Sequence, residues 1–179
     1  FYQILTDHPG AASWPITARW RPEMKSDLAS RLTRLEDIEA IRALVARYAL
    51  GADRNNDPEI LGPLFSADAE WQCEGFGHYR GRAEIAAELA RIGREGIRWS
   101  LHYMVSPLVE PDPDGRHARC HWYLWELARM ADGGSNWIGG WYESRLRKGR
   151  KGWRFTDVRL HLKLMSPHAD GWTTLPPAA

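Results

Sequence analysis

Long apolar runs and an excess of charge of one sign are both missing from the sequence. No apolar run approaches the roughly 20 residues of a membrane span, so we expect no membrane partner. The 24 Lys and Arg nearly balance the 23 Asp and Glu, and the formal net charge is +1. Such a balance gives no broad electrostatic attraction to nucleic acid, which we therefore exclude as a partner.

Cysteine is scarce, and a secretory signal pattern is absent. The only two cysteines are Cys73 and Cys120, and neither sits in a Cys-x-x-Cys pair, so a disulfide framework is excluded. We interpret both as buried thiols in a reducing compartment, which predicts a cytoplasmic protein. Because the sequence begins at Phe1 rather than Met, we expect the native start to lie upstream.

Three sequence motifs, for binding a metal, for binding a phosphate and for a serine nucleophile, are also missing. No His and Glu have a metal-binding spacing such as HExxH, so no metal site is expected. No glycine-rich loop joins a strand to a helix to cradle a phosphate, and no Ser occupies a nucleophile elbow. We therefore expect no cofactor, and any chemistry must come from ordinary side chains.

Tryptophan, in contrast, is abundant. The chain has 179 residues, enough for one domain with a real core, and it carries ten tryptophans. That number exceeds what packing needs in a domain of this size. It predicts either an aromatic-lined cavity or a large apolar contact surface.

One helix near the N-terminus has the clearest pattern in the chain. Thr33 and Glu36 are spaced as a capping box, and Gly51 is a natural stop. Asp53 follows directly and is either a solvated helix-end residue or a carboxylate turned back toward the interior. The apolar stripe of this helix has steps of three and four residues, at Leu35, Ile38, Ile41, Leu44, Val45 and Tyr48.

The order of elements predicts an α+β fold. An irregular arm, 1–25, precedes a domain at 26–168, and a tail at 169–179 could close over a pocket as a lid. A short helix begins at Asp57-Pro58, and a third helix covers about 82–95. A strand and a short hairpin partner lie between those two helices, at 69–81. Turns rich in Gly, Asp and Pro then separate four long strands, at about 98–110, 117–130, 136–147 and 153–165.

Each long strand has two faces, and alternation alone does not say which face points inward. In the second long strand Tyr123 and Trp125 share one face, whereas Trp122, Leu124 and Glu126 share the other. The ordinary alternative for His121 and His161 is a hydrogen-bonded or solvated sheet residue. A strongly bent sheet with helices on its concave side would enclose a deep pocket.

Three segments, 35–53, 64–71 and 79–85, resemble the SnoaL-like branch of the NTF2-like superfamily. The resemblance covers about residues 28–168 and is nearest to the hexachlorocyclohexane dehydrochlorinase and scytalone dehydratase group. It implies a cone of three N-terminal helices packed on a strongly curved, mostly antiparallel sheet. The fold is better specified than the reaction, because such folds host many functions.

The resemblance also implies a site. An Asp after the first helix and a His on a long strand form a catalytic dyad in that group, which corresponds here to Asp53 and His102. Tyr48 matches a tyrosine that bonds a substrate oxygen, and Arg159 lies close to where relatives carry an anion-stabilising arginine. We predict that the substrate contacts are Trp71, Cys73, His121, Tyr123, Trp125, Trp141 and Trp172.

The expected function is a cofactor-independent lyase acting on a bulky aromatic or polycyclic small molecule. His102 would act as general base in the loss of water, halide or a small carbonyl fragment such as formaldehyde. One alternative is a steroid or polyketide isomerase or cyclase with Asp53 as base, and another is a non-catalytic binding or dimerisation module. The resemblance further implies a homo-oligomer, dimer or trimer, with the Trp122 and Leu124 side as its interface.

Overall fold

A computed structural model describes residues 27–172 of the chain. The predicted arm at 1–25 and the last seven residues, 173–179, lie outside the described residues. Residues 27–172 contain three α-helices, α1 (Leu28–Asp53), α2 (Pro58–Leu61) and α3 (Arg82–Gly96), with a 3-10 turn at Gly62–Leu64 after α2. The strands are β1 (Phe65–Cys73), β2 (Gly77–Arg80), β3 (Ile97–Pro111), β4 (His117–Met130), β5 (Ser135–Gly149) and β6 (Gly152–Pro167).

The strands form one six-stranded sheet in the order β2-β1-β6-β5-β4-β3. Every neighbouring pair is antiparallel except β1 and β6, which run parallel. The sheet curves around the helices, and α1 and α3 pack on its concave side, which we call the inner face. The predicted α+β cone, with a mostly antiparallel sheet, is confirmed.

Helix α1 begins at Leu28, ahead of the predicted capping box. Asp27 is its N-cap, and its carboxylate accepts a hydrogen bond from the backbone N–H of Ser30 at 2.8 Å. The predicted capping box of Thr33 and Glu36 is therefore wrong, because both residues lie inside the helix and its first turn is already capped. Leu35, which we placed on the buried stripe, is 63% exposed.

Gly51 does not end α1 either, since the helix continues to Asp53. A Cβ at Gly51 would lie 2.6 Å from Leu61, so glycine is needed there for the close approach of α2. The chain reverses two residues after the helix, where Asn55 and Asn56 both have a φ of 56°. Asparagine tolerates this left-handed conformation better than most residues, which explains why the turn occurs at these positions.

Two buried contacts hold α1 against the sheet. Its buried stripe runs through Ile41 and Tyr48 into the core. Nearer its start, the buried Asp37 carboxylate accepts a hydrogen bond from the Trp153 indole at 2.8 Å and lies 2.6 Å from the Lys148 ammonium. Because both partners lie at the β5–β6 hairpin, the helix is fixed there by a paired rather than a bare charge.

The two faces of β4 are the reverse of what we predicted. Trp122, Leu124 and Glu126 are buried on the inner face, whereas Tyr123 and Trp125 are 54% and 42% exposed on the opposite, outer face. The predicted interface on the Trp122 and Leu124 side is therefore wrong, because helices cover that side. We call the convex side of the sheet, which carries Tyr123 and Trp125, the outer face.

Candidate active site

The end of α1 meets the inner face of β3 at one pair of residues. The Asp53 carboxylate oxygen Oδ1 accepts a hydrogen bond from the backbone N–H of His102 at 2.7 Å and lies 2.8 Å from Nδ1 of its ring. A carboxylate can only accept, so Nδ1 carries a proton, and in a neutral imidazole the lone pair is then on Nε2. The two residues predicted as a dyad are thus in direct contact, in the tautomer that a general base requires.

A second carboxyl group lies on the other side of the same imidazole. Glu126 is directly opposite His102 in the β3–β4 register, and its Oε2 lies 3.4 Å from His102 Nε2. Its side chain is only 7% exposed. Burial raises the pKa of Glu126 above its ordinary value, the nearby His102 opposes that shift, and Asp53 adds to it.

Sequence reasoning missed Glu126, although a signal was present. Glu126 is the one charged residue on a face that it shares with Trp122 and Leu124. A carboxyl group is seldom buried on an apolar strand face without a purpose or a partner. That observation could have identified it once the face was known to point inward.

A cavity of about 110 Å³ opens beside these groups, between α1, α3 and the inner face of the sheet. Its polar groups are Tyr48, Asn56, Trp71, His102, Glu126 and Tyr142. The other lining residues are mainly apolar: Ala52, Phe76, Leu89, Ile92, Gly96, Ile97, Met130, Ile138, Leu160, Leu162 and Met165. A small apolar chamber with a few convergent polar groups is typical of a small-molecule site.

The phenols of the cavity are neutral donors or acceptors. Trp71 donates from its indole nitrogen to the Tyr48 hydroxyl at 2.9 Å. The Tyr48 and Tyr142 rings lie 5.7 Å apart, edge to face. Burial raises the pKa of both phenols, so each keeps its proton at neutral pH and can bond a substrate oxygen.

Of the predicted site residues, Tyr48, Trp71 and His102 line the cavity, and Asp53 lies directly behind His102. Cys73 is buried on the inner face of β1 but is not a lining residue. Its thiol lies 3.6 Å from the Glu74 carbonyl oxygen, and burial raises its pKa to about 11. Cys73 therefore fills the core beside the cavity.

Arg159 does not reach the cavity, because it lies on the outer face of β6. Its neighbours Val158 and Leu160 point inward, and Leu160 lines the cavity. With the Gln72 amide oxygen turned toward it, the Arg159 guanidinium lies 2.9 and 2.7 Å from that oxygen through Nε and Nη2. The predicted anion-stabilising position is therefore wrong for this chain, since the side chain is held on the far side of the sheet.

The aromatic walls predicted on β4 and β5 are also on the outer face. Tyr123 and Trp125 are exposed there, the His121 ring lies 5.0 Å from that of Tyr123, and Trp141 stacks on His161 at 5.1 Å. None of the four predicted wall residues lines the cavity. The aromatics belong to a contact surface rather than to the pocket.

The described part of the tail packs on the same outer face. Trp172 donates from its indole nitrogen to the Ala128 carbonyl at 3.1 Å, and its ring lies 4.6 Å from that of Trp137. Trp137 in turn stacks on Trp125 at 5.3 Å. Trp172 is therefore no pocket residue, and the rest of the predicted lid at 169–179, residues 173–179, lies outside the described residues.

Two further findings concern residues 27–172. No helix in this part of the chain is long and apolar enough to cross a membrane. The same residues include no group of three or more His, Cys, Asp or Glu that could hold a metal ion.

The fold and the site together define an NTF2-like cone protein with an imidazole held between two carboxyl groups at an apolar cavity. A family model described as a SnoaL-like domain matches residues 33–159, and the chain belongs to this family. A search of curated proteins finds none that matches it.

Solved structures agree with this fold. The chain is 23% identical to hexachlorocyclohexane dehydrochlorinase LinA-type3 from Novosphingobium barchaimii LL02, covering 82% of this chain and 99% of that one with a TM-score of 0.73. A putative scytalone dehydratase from Novosphingobium aromaticivorans is 19% identical, covering 77% and 91% at 0.69. An NTF2-like protein with a cystatin-like fold from the same species is 28% identical, covering 78% and 92% at 0.65.

Proposed function

We propose that the protein is a cofactor-independent lyase that catalyses an elimination on an apolar, aromatic small molecule. The observation that carries this proposal is the Asp53–His102 contact at the wall of the cavity, which His102 lines. The dehydrochlorinase and dehydratase among the structural relatives support the same reaction class.

The chemistry follows from the tautomer of His102. Its Nε2 lone pair would remove a proton from a substrate carbon, and the electron pair left behind would form a double bond and expel the leaving group. Asp53 holds the Nδ1 proton at 2.8 Å and stabilises the imidazolium that forms. Tyr48 would donate a hydrogen bond to a substrate oxygen near the acidic carbon.

The cavity limits how much of a substrate can be enclosed. At about 110 Å³ it is somewhat smaller than the cavity of about 150 Å³ known to hold benzene. We therefore propose that the cavity encloses at most one aromatic ring, in contact with Trp71 and the apolar residues of α3 that line it. The remainder of a bulky substrate would extend past Met165, which both lines the cavity and is 44% exposed.

An isomerase that uses Asp53 itself as base is less well supported. Its Oδ1 already accepts from two groups of His102, and Asp53 does not line the cavity. A substrate in the cavity would contact His102 rather than Asp53. A non-catalytic binding module is the other alternative, and the experiment below distinguishes it.

We further propose a cytoplasmic homo-oligomer, a dimer or trimer, assembled through the outer face. Cys73 and Cys120 are free and buried, which suits a reducing compartment. Large apolar side chains are exposed together on the outer face, and such patches mark contact surfaces. They are Leu101, Tyr103, Val105, Leu108, Tyr123, Trp125 and Leu164.

The test is a turnover screen without added metal or cofactor. Wild type, His102→Ala and the control His161→Ala would be incubated with aromatic alcohols, aromatic halides and lignin-type diaryl compounds, with products read by mass spectrometry. We expect a product lighter by water, acid or formaldehyde with wild type and His161→Ala, and none with His102→Ala. Binding that quenches tryptophan fluorescence without turnover by wild type would instead identify a binding module.

A further inference from the structure

We propose that Glu126 is a catalytic residue, the general acid of the elimination, and that the leaving group is a hydroxyl that departs as water. This inference rests on the proposed lyase function and narrows its leaving group. It assigns a role to the one buried carboxyl group of the cavity that the His102–Asp53 mechanism leaves unused.

The geometry places acid and base on one side of the substrate. Glu126 lines the cavity, and its Oε2 lies 3.4 Å from the His102 nitrogen that we assign as the base. A substrate carbon within reach of Nε2 is thus also within reach of a carboxyl oxygen from the adjacent strand. Substrate entering the cavity would replace the contact between these two groups, so that Nε2 faces its C–H bond and the carboxyl group faces its hydroxyl.

The surrounding charges favour one proton shared by the pair. The titratable groups around Glu126 are Asp53 and Tyr48 from α1, His102 from β3 and Tyr142 from β5. Both tyrosines are neutral. If Glu126 were ionised beside a neutral His102, the imidazole would lie between two carboxylates, the buried Glu126 and the 26% exposed Asp53, with no cation, which is costly. A neutral carboxylic acid facing the Nε2 lone pair avoids that cost.

The walls also argue against a leaving group that departs as an anion. No Lys or Arg among residues 27–172 lines the cavity, so a halide or carboxylate would leave into an apolar chamber where the His102 imidazolium, already paired with Asp53, is the available cation. Arg159, the predicted anion-stabilising residue, is on the outer face. A hydroxyl that takes a proton as it departs leaves as neutral water and needs no cation.

The proposed steps balance. His102 Nε2 takes the proton from carbon, the C–H electrons become the new C=C bond, and the adjacent C–O bond breaks with its electrons on oxygen. The Glu126 O–H proton moves to that oxygen, which gives water. His102 is then an imidazolium and Glu126 a carboxylate. Transfer of the Nε2 proton to Oε2 restores both groups, so each turnover consumes no external acid or base.

The first test is on the protein alone. Infrared spectra at neutral pH would compare wild type, Glu126→Gln and the control Glu143→Gln, whose parent residue lies 3.4 Å from His161 Nε2 on the outer face. We expect a carboxylic C=O band that shifts in D2O, is lost in Glu126→Gln and persists in Glu143→Gln. A band unaffected by Glu126→Gln, or no band, would overturn the shared-proton state and with it the inference.

The second test compares leaving groups on one carbon frame. The probes are the aldol of benzaldehyde and acetone and its O-acetyl ester, which both give benzylideneacetone on elimination. Acetate departs without a proton, so Glu126→Gln should lower the ratio of hydroxyl to acetate elimination by about 10²-fold or more, whereas Glu143→Gln should not change the ratio. Retention of the wild-type ratio in Glu126→Gln would overturn the inference.

The two proposals fail in different ways. If His102→Ala abolishes elimination from both probes but Glu126→Gln leaves their ratio unchanged, the lyase function stands and the role of Glu126 does not. If His102→Ala leaves elimination unchanged, the proposed function fails. If wild type converts neither probe, the infrared band alone decides on Glu126.

Discussion

The sheet carries two His–Glu pairs with the same separation on opposite faces. His102 Nε2 and Glu126 Oε2 are 3.4 Å apart on the inner face, and His161 Nε2 and Glu143 Oε2 are 3.4 Å apart on the outer face. The inner side chains are 9% and 7% exposed, whereas the outer ones are 24% and 27% exposed. The chemistry of the two pairs therefore differs through their surroundings rather than their spacing.

What distinguishes the inner pair is a third group and a cavity. Asp53 accepts a hydrogen bond from Nδ1 of His102, and Tyr48 and Tyr142 line the same cavity. Next to the outer pair lie the indole ring of Trp141, stacked on His161, and the imidazole of His121. Burial lowers the pKa of His121, Glu143 opposes that shift and His161 adds to it. Substitutions in the outer His161–Glu143 pair therefore serve as controls for the same substitutions in the inner His102–Glu126 pair.

The largest expected difference between the faces is catalytic. Asp53→Asn keeps an oxygen that can accept from His102 but removes the charge that stabilises the imidazolium. We expect kcat to fall by about 10²- to 10⁴-fold with little change in substrate binding. Asp157→Asn, on the outer face of β6, is the matched control, measured by steady-state kinetics on any substrate that the screen finds. A loss no larger than the control's would remove Asp53 from the mechanism.

The next difference concerns packing. Trp122 on the inner face is fully buried and stacks on Tyr142 at 4.9 Å, whereas Trp125 on the outer face is 42% exposed. Trp122→Ala should lower the free energy of unfolding by about 3–5 kcal/mol, because it leaves a large cavity. Trp125→Ala loses mainly its stack on Trp137, so the expected cost is about 0.5–1.5 kcal/mol. Urea unfolding of both variants measures this, and equal costs would contradict the assignment of the faces.

A third difference is in assembly. A charge placed on the outer face, as in Trp125→Glu, should reduce the mass in solution to that of a monomer, because it would bury an unpaired carboxylate at the contact. Light scattering coupled to size-exclusion chromatography measures the mass. Glu39→Arg, an exposed change on α1, is the control. A mass that stays that of the wild-type oligomer in Trp125→Glu would place the contact elsewhere.

The smallest expected difference is in stability against pH. The pKa of Glu126 is raised in the folded protein, so its protonated form stabilises the fold below the ordinary value of 4.5. That contribution is lost as the pH rises through the raised value. Relative to wild type, Glu126→Gln should therefore become more stable across this rise. Parallel unfolding of Glu143→Gln corrects for the loss of a His–Glu contact, and an identical trend in both variants would refute the prediction.

The sequence predicted the order of elements well because each element has its own period and its own end signals. The Asp57-Pro58 start is such a case: Asp57 caps α2 by accepting from the N–H of Glu59 at 2.9 Å, with Pro58 at the first helical position. The Asp53–His102 contact was predicted through the family resemblance, and its catalytic role stays a prediction. Local sequence patterns do not show which residues that are far apart in the chain lie close together in the fold.

The pocket walls were harder to predict, because alternation separates the residues of a strand into two sets without saying which set is covered. On β4 both sets are rich in large apolar groups, since one packs on helices and the other forms the proposed subunit contact. Irregular pairing between Gly139 and Gly140 also interrupts the alternation of β5. Glu126 is the one charged residue of the covered set, and a buried charge needs a partner.

Helix α1 is also a rigid connection between two fixed contacts with the sheet. Asp37 fixes it at the β5–β6 hairpin and Asp53 at β3, sixteen positions apart or about 24 Å along the axis. Because a helix is stiff, a displacement of α1 at Asp37 also displaces Asp53 and with it the His102 ring. We expect Asp37→Asn to lower kcat at a distance, in proportion to a weakened Asp53–His102 hydrogen bond seen by NMR of the Nδ1 proton. The alignment of the proton-transfer site is thus set partly by a hairpin that no substrate touches.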